Sequence, residues 1–320
     1  MASDIESRGG LLRSARSEGL EGALATARLE VIPTRTVIER TDELLPDVPI
    51  TVTCSPTWGI DRTLDVSEQL AARGYHVIPH ISARLVEDLD HLKRVVGRLA
   101  ANDLRDVFVI GGDAPAPHGP YASALELLEA LAQVPNGLSS IGVAAYPDGH
   151  PLIASGDLQS ALLAKSRWAT YAVTQMCLDA DAIGAWLLAV RTHGLRIPVY
   201  VGVPGVIERR KLLEIAVRIG VGQSTRYLKS HTSLLTLLFA RRPYRPDALL
   251  SELAPLFSEP SHALAGLHIN TFNQLAVTSQ WLASTMARWA KSAPAGAQSA
   301  VASTVATSPR SITRTAKRPV

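Results

Sequence analysis

The chain has 320 residues, 47% of them hydrophobic, with 32 basic and 29 acidic side chains giving a net charge of +3. That length suits one large barrel or two ordinary domains, and the near balance of charge argues against a nucleic-acid partner. The two cysteines, Cys54 and Cys177, stand outside any CxxC or Cys/His cluster, which argues against a disulfide scaffold or a structural zinc site.

The first thirty residues hold no signal-peptide core, and no run approaches the roughly 20 uncharged apolar residues of a membrane span. A cytoplasmic protein without a membrane partner is expected. Residues 11–27 have the spacing of an amphipathic helix that would close the bottom of a barrel. Short β-branched runs then begin with RLEVIP (28–33) and ITVTC (50–54), followed by helical spacing over 65–74. YHVIPHI (75–81) leads into a helical segment at 86–103, and DVFVIGG (106–112) into another at 121–134. SIGVAAY (140–146), TYAVTQM (170–176) and IPVYVGV (197–203) come next, then a helical 211–220 and a last run, GLHINTF (266–272). Gly74, Gly194 and Gly220 stand where helix C-caps are expected. The longest interval, 207–262, has room for about three helices.

Eight strands alternating with helices imply parallel pairing, in a doubly wound sheet or a closed barrel. The count of eight, the length, and the lack of G-x-G-x-x-G after the first strand favour the barrel. The expected fold is therefore α/β, a (β/α)8 TIM barrel over residues 28–290. An N-terminal extension (1–27) carries the extra helix, and a tail from 291, rich in Ala, Ser, Thr and Pro, reads as disordered.

In such a barrel chemistry sits at the C-terminal ends of the strands. Glu30, Thr53, His80, Asp113, Tyr146, Gln175 and Asn270 fall within or just after the apolar runs. Each has a plain reading and a chemical one. Glu30, flanked by Leu29, Val31 and Ile32, is either half of an ion pair with an interior Arg or Lys, or an acid whose pKa is raised by an apolar pocket. Asp113 caps a turn or faces a ligand, His80 is a satisfied core imidazole or a contact, and Gln175 and Tyr146 are barrel packing or recognition groups. The cysteines read as small core hydrophobes. Arg209, Arg210 and Lys211 read as a solvated helix start.

Taken in order, these runs resemble the methylenetetrahydrofolate reductase family. LEVIPT is similar to its first-strand signature, TVTCSPTWGIDRT to its second strand and following loop, and IPHIS to its third-strand Pro-His. VIGGDAPAP with Tyr121-Ala122-Ser123, AAYPDGHP (144–151) and VTQMCLD continue the series, and LHINTFNQ (267–274) is a weaker echo. The resemblance implies that Glu30 protonates the bridging nitrogen of 5,10-methylenetetrahydrofolate, opening the ring to an N5 iminium cation. It implies that Asp113 binds the pterin and stabilises that cation, and that Gln175 reads the pterin edge. A hydride from NAD(P)H, NADH favoured, then gives 5-methyltetrahydrofolate.

FAD is the family's usual intermediary, and here the sequence departs. The family's fourth-strand Arg-Gly-Asp is Gly111-Gly112-Asp113, an expected Asn is Ser160, and an expected Lys is Ala164, with Lys165 beside it. The aromatic residue expected after the seventh strand falls near Ile207 and Glu208. Thr53, His80, Ala144, Tyr146 and Asp157 keep the family's cofactor-pocket positions, and Lys165 is assigned to the same nicotinamide or flavin pocket. The expectation leans towards loss of FAD. Alternatives are a folate-dependent one-carbon transferase, a metal-dependent hydrolase using His80, Asp113, His150 and His268, and a silent folate-sensing protein. Oligomeric state is left open.

Overall fold

Eight short strands pair in sequence order, every pair parallel, and the eighth returns to the first. They are β1 (Arg28–Val31), β2 (Ile50–Val52), β3 (Val77–Ser82), β4 (Asp106–Ile110), β5 (Ser140–Ala145), β6 (Tyr171–Thr174), β7 (Val199–Pro204) and β8 (Leu264–Asn270). The chain is a closed (β/α)8 barrel. The computed structural model describes residues 19–151, 153–218 and 242–292.

The helices follow the alternation. A described stretch at 19–25 (α1) precedes β1, and α2 (Arg35–Glu39) and α3 (Gly59–Ala71) flank β2. Next come α4 (Leu89–Ala101), α5 (Ala124–Leu131), α6 (Ser155–Lys165), α7 (Ala180–Thr192) and α8 (Arg209–Arg218). α9 (Asp247–Phe257) lies between β7 and β8, and α10 (Leu275–Ser292) follows β8. Local chemistry sets their starts. Asp88 accepts the amide of His91, so α4 begins three residues later than the sequence spacing predicts. Ser123 and Glu126 form a capping box that opens α5. Gly74 and Gly194 follow α3 and α7 with φ of 90° and 98°, the left-handed geometry expected of them. Gly220, residues 11–18, the middle of the 207–262 interval and the tail from 293 lie outside the described residues.

Period-2 alternation divides the strand side chains between two cores. Leu29, Val31, Ile50, Val52, Val107 and Val109 face the helices and join one continuous apolar layer. Ile78, Phe108, Tyr171 and Val173 fill the barrel interior, with Ile110, Ala144 and Tyr200 against them. At the N-terminal ends of the strands the Arg28 guanidinium lies 4.3 Å from the Tyr171 ring centroid and 4.0 Å from that of Tyr200. It pairs with Asp106 at 3.7 Å, and Asp106 also accepts from the Tyr171 hydroxyl at 2.9 Å. Gly142 makes room for this cluster, because a Cβ there would overlap the Tyr171 ring.

Candidate active site

The alternation that turns Leu29 and Val31 outward turns Arg28 and Glu30 into the barrel. Closure brings β8 alongside, with Arg28 opposite His268 and Glu30 opposite Asn270. The result is a carboxyl between two imidazoles. His268 Nε2 lies 2.9 Å from Glu30 Oε2, and His80 Nε2 lies 3.9 Å from the same oxygen. Both imidazoles are 96% buried at the side chain, while the Glu30 side chain keeps 20% of its surface exposed. Phe108 packs edge-on against His80, ring centroids 4.7 Å apart.

These contacts reverse an expectation from the sequence. Burial pushes the Glu30 carboxyl up, but the hydrogen bond with His268 and that ring's proximity outweigh it and hold the group below the ordinary glutamate value. The apolar flanks that suggested a raised pKa face away from it. Burial pushes the His80 imidazole down to about 4, so it is neutral near pH 7.

The backbone around Glu30 is clamped by the turn after β8. Thr271 Oγ1 donates to the Glu30 carbonyl at 2.6 Å. Asn273 accepts from the Ile32 amide at 2.8 Å and donates to the Ile32 carbonyl and Thr34 Oγ1 at 3.0 Å each. Phe272 and Asn273 have φ of 49° and 59°, a left-handed pair that Asn tolerates and Phe does not favour.

The other sequence-selected residues fall into smaller groups. Asp113 is exposed just beyond β4, and after burial its charge is what raises the Tyr146 pKa. The Tyr146 ring meets His150 edge-on, centroids 5.3 Å apart. Gln175, exposed beyond β6, accepts from the Met176 amide through Oε1. Thr53 follows β2, where its carbonyl accepts from Thr63. Lys165 is 8% exposed and donates to the Ala144 carbonyl at 2.8 Å, and burial alone lowers its pKa to about 8. Asp157 stands exposed in the first turn of α6. Sequence reasoning named His268 only as a metal ligand and missed its bond to Glu30. The signal lay in GLHINTF, where His268 shares a face with Asn270.

The four residues named for a metal hydrolase do not form one cluster. Among the described residues the group spaced for an ion is Glu30, His80 and His268, with ligand atoms within 4.8 Å of one another. Coordination through His268 Nε2 would move its proton to Nδ1, which is buried without an acceptor among the described residues. Metal-binding imidazoles keep a partner at that second nitrogen, so the arrangement fits a hydrogen-bonded acid better than a metal centre.

The model of the family described as methylenetetrahydrofolate reductase matches residues 34–221, more than half of the chain. The chain belongs to that family. Glu30 and His268 lie outside the matched span. Two curated relatives are methylenetetrahydrofolate reductase (NADH) 1 of Arabidopsis thaliana and of Zea mays. The first is 25% identical over 206 residues, covering 56% of this chain and 34% of its own length. The second is 25% identical over 197 residues, covering 53% and 32%. The chain thus spans about a third of the length of these relatives. A solved structure of an uncharacterized protein from Clostridium thermocellum, which binds two copies of 5-methyl-5,6,7,8-tetrahydrofolic acid, aligns with a TM-score of 0.54. It is 12% identical and covers 81% of this chain and 93% of its own, a likeness that speaks for the fold.

Proposed function

We propose that the chain reduces 5,10-methylenetetrahydrofolate to 5-methyltetrahydrofolate with a hydride from NADH, with Glu30 as the general acid. The observation that carries this is a partly exposed carboxyl inside the barrel, held at 2.9 Å by His268. Family membership supports the folate, and the names of the two plant relatives support NADH. One proton and one hydride are consumed. The protonated form of Glu30, which its lowered pKa makes the minor one near neutral pH, gives its proton to the bridging nitrogen, the C–N bond breaks, and the methylene carbon remains on N5 as an iminium. Hydride adds to that carbon, leaving a methyl group and NAD+. Asp113 stabilises the cation by its charge, and Gln175 offers its amide to the pterin edge.

The residues at the flavin positions fit a dinucleotide flavin poorly. Gly111 presents no side chain to its phosphates and Lys165 is committed to the Ala144 carbonyl, while Arg84, whose amide bonds the Gly111 carbonyl, is itself committed to the carbonyls of Ala114, Pro115 and Ala122. We therefore propose direct transfer from nicotinamide to folate, in a pocket that takes in Thr53, His80, Ala144, Tyr146, Asp157 and Lys165. The proposed division of the chain is an extension at 1–27, a catalytic barrel at 28–290 and a tail at 291–320.

The deciding assay is NADH oxidation with methylenetetrahydrofolate, run with and without FAD. Glu30→Gln is expected to lower turnover by about 100-fold or more while folate binding stays measurable. Near-normal turnover in that variant would refute the acid assignment. A visible flavin band in purified protein would refute direct transfer.

A further inference from the structure

We propose that His268 is a positioning residue that decides which oxygen of Glu30 carries the transferable proton. The inference rests on the reading of Glu30 as the acid. His268 Nδ1 is buried with no hydrogen-bond partner among the described residues, while Nε2 is 2.9 Å from Glu30 Oε2. An unpaired buried N–H costs about 1–3 kcal/mol, and an unpaired lone pair is the better tolerated of the two. A ring that carries one hydrogen therefore keeps it on Nε2 and donates it to Oε2.

His80 makes its closest approach to that same oxygen, and its Nε2 is likewise buried without a partner among the described residues. Oε2 is thus the acceptor side of the carboxyl. A proton placed there would evict the His268 hydrogen and force one onto Nδ1, which is buried with no acceptor among the described residues. The acidic proton belongs on Oε1, which neither imidazole approaches as its nearest oxygen. The Thr271 bond to the Glu30 carbonyl holds the strand so that this sorting of oxygens has a fixed direction.

The titratable groups acting on Glu30 are His268 from β8 and His80 from β3. Across β2 its neighbour is the neutral Thr51, and Arg28 on the same strand is paired with Asp106.

The test compares His268→Leu, which removes the donor, with His268→Gln, whose amide reaches the place of Nε2. His268→Asn, polar but too short, serves if the leucine variant does not fold. Two readings are taken across pH: NADH oxidation with methylenetetrahydrofolate, and the carboxyl carbon resonance of Glu30 in 13C-glutamate-labelled protein, assigned by its loss in Glu30→Gln. In the leucine or asparagine variant kcat on the low-pH plateau is expected to fall at least roughly tenfold, with KM for folate within about twofold. The resonance is expected to titrate at higher pH, and the alkaline limb of the rate to follow it. The glutamine variant is expected to restore both. A Glu30 titration that does not move in the leucine or asparagine variant overturns the proposal, whatever the activity. Turnover surviving in Glu30→Gln sinks the acid reading instead, a separate outcome that the resonance does not depend on.

Discussion

Arg28 pairs with Asp106 at 3.7 Å and leaves Glu30, two residues along the same inward face, to His268. One permanent cation in the barrel is thereby neutralised by one carboxylate at the strand N-termini, and the second carboxylate is left between two imidazoles. Burial still raises the Asp106 pKa despite Arg28, as expected of a pair that is 8% and 6% exposed. Arg28→Met is therefore expected to destabilise the barrel by about 3–5 kcal/mol, because it strands a buried carboxylate. Adding Asp106→Leu should recover part of that loss in urea denaturation. A single variant as stable as the parent would show that the pair is dispensable.

Lys165 offers a prediction of opposite sign. Its folded pKa is about 8 against an ordinary 10.5, so the folded state resists the charged form. The resulting penalty is absent above pH 10.5, grows as pH falls to 8, and is fully present below that. The difference is worth about 3 kcal/mol, less about 1 kcal/mol for the hydrogen bond to Ala144. Lys165→Met should stabilise the fold by about 2 kcal/mol at pH 7, and the gain should shrink towards pH 10. Thermal melts across that range check it.

The adjacent glycines after β4 should respond differently to substitution. A Cβ at Gly111 meets nothing nearer than 4.0 Å, whereas one at Gly112, where φ is 92°, would overlap Ser82 Oγ. Gly112→Ala is expected to cost about 2 kcal/mol or more. Gly111→Arg should be nearly neutral for stability and should let the purified protein retain flavin, read from its visible spectrum. A colourless Gly111→Arg protein that stays colourless with excess FAD would count against this account of flavin loss.

Asn273→Ala removes three hydrogen bonds between the β8 turn and the end of β1 and strains a left-handed residue. A loss of about 2–3 kcal/mol is expected, with kcat falling as Glu30 loses its fixed backbone. Asn273→Gly keeps the backbone relaxed and should fall between the two.

The alternation of β-branched runs with helical spacing was enough to read eight parallel strands, because strands buried on both faces need apolar residues at nearly every position. It also placed Glu30 and His80 inside. What it could not provide was depth. Period 2 says which face a side chain takes, but His268 meets Glu30 across 238 residues only because closure sets Arg28 opposite His268. The pKa error has the same origin. Leu29 and Val31 adjoin Glu30 in sequence yet pack on the other side of the sheet, so they are no measure of its surroundings. Asp113 and Gln175 were legible as polar ends of strands, but their partners depend on loop geometry that local sequence does not encode.

The clamp on Glu30 also orders events in time. Residues 268–273 are synthesised long after Glu30 leaves the ribosome, and they supply the imidazole, the hydroxyl and the amide that hold it. A nascent chain that has laid down only seven strands lacks all three of these groups. On the proposed mechanism proton delivery waits for the last strand to dock, so that competence for chemistry would report that the barrel has finished assembling.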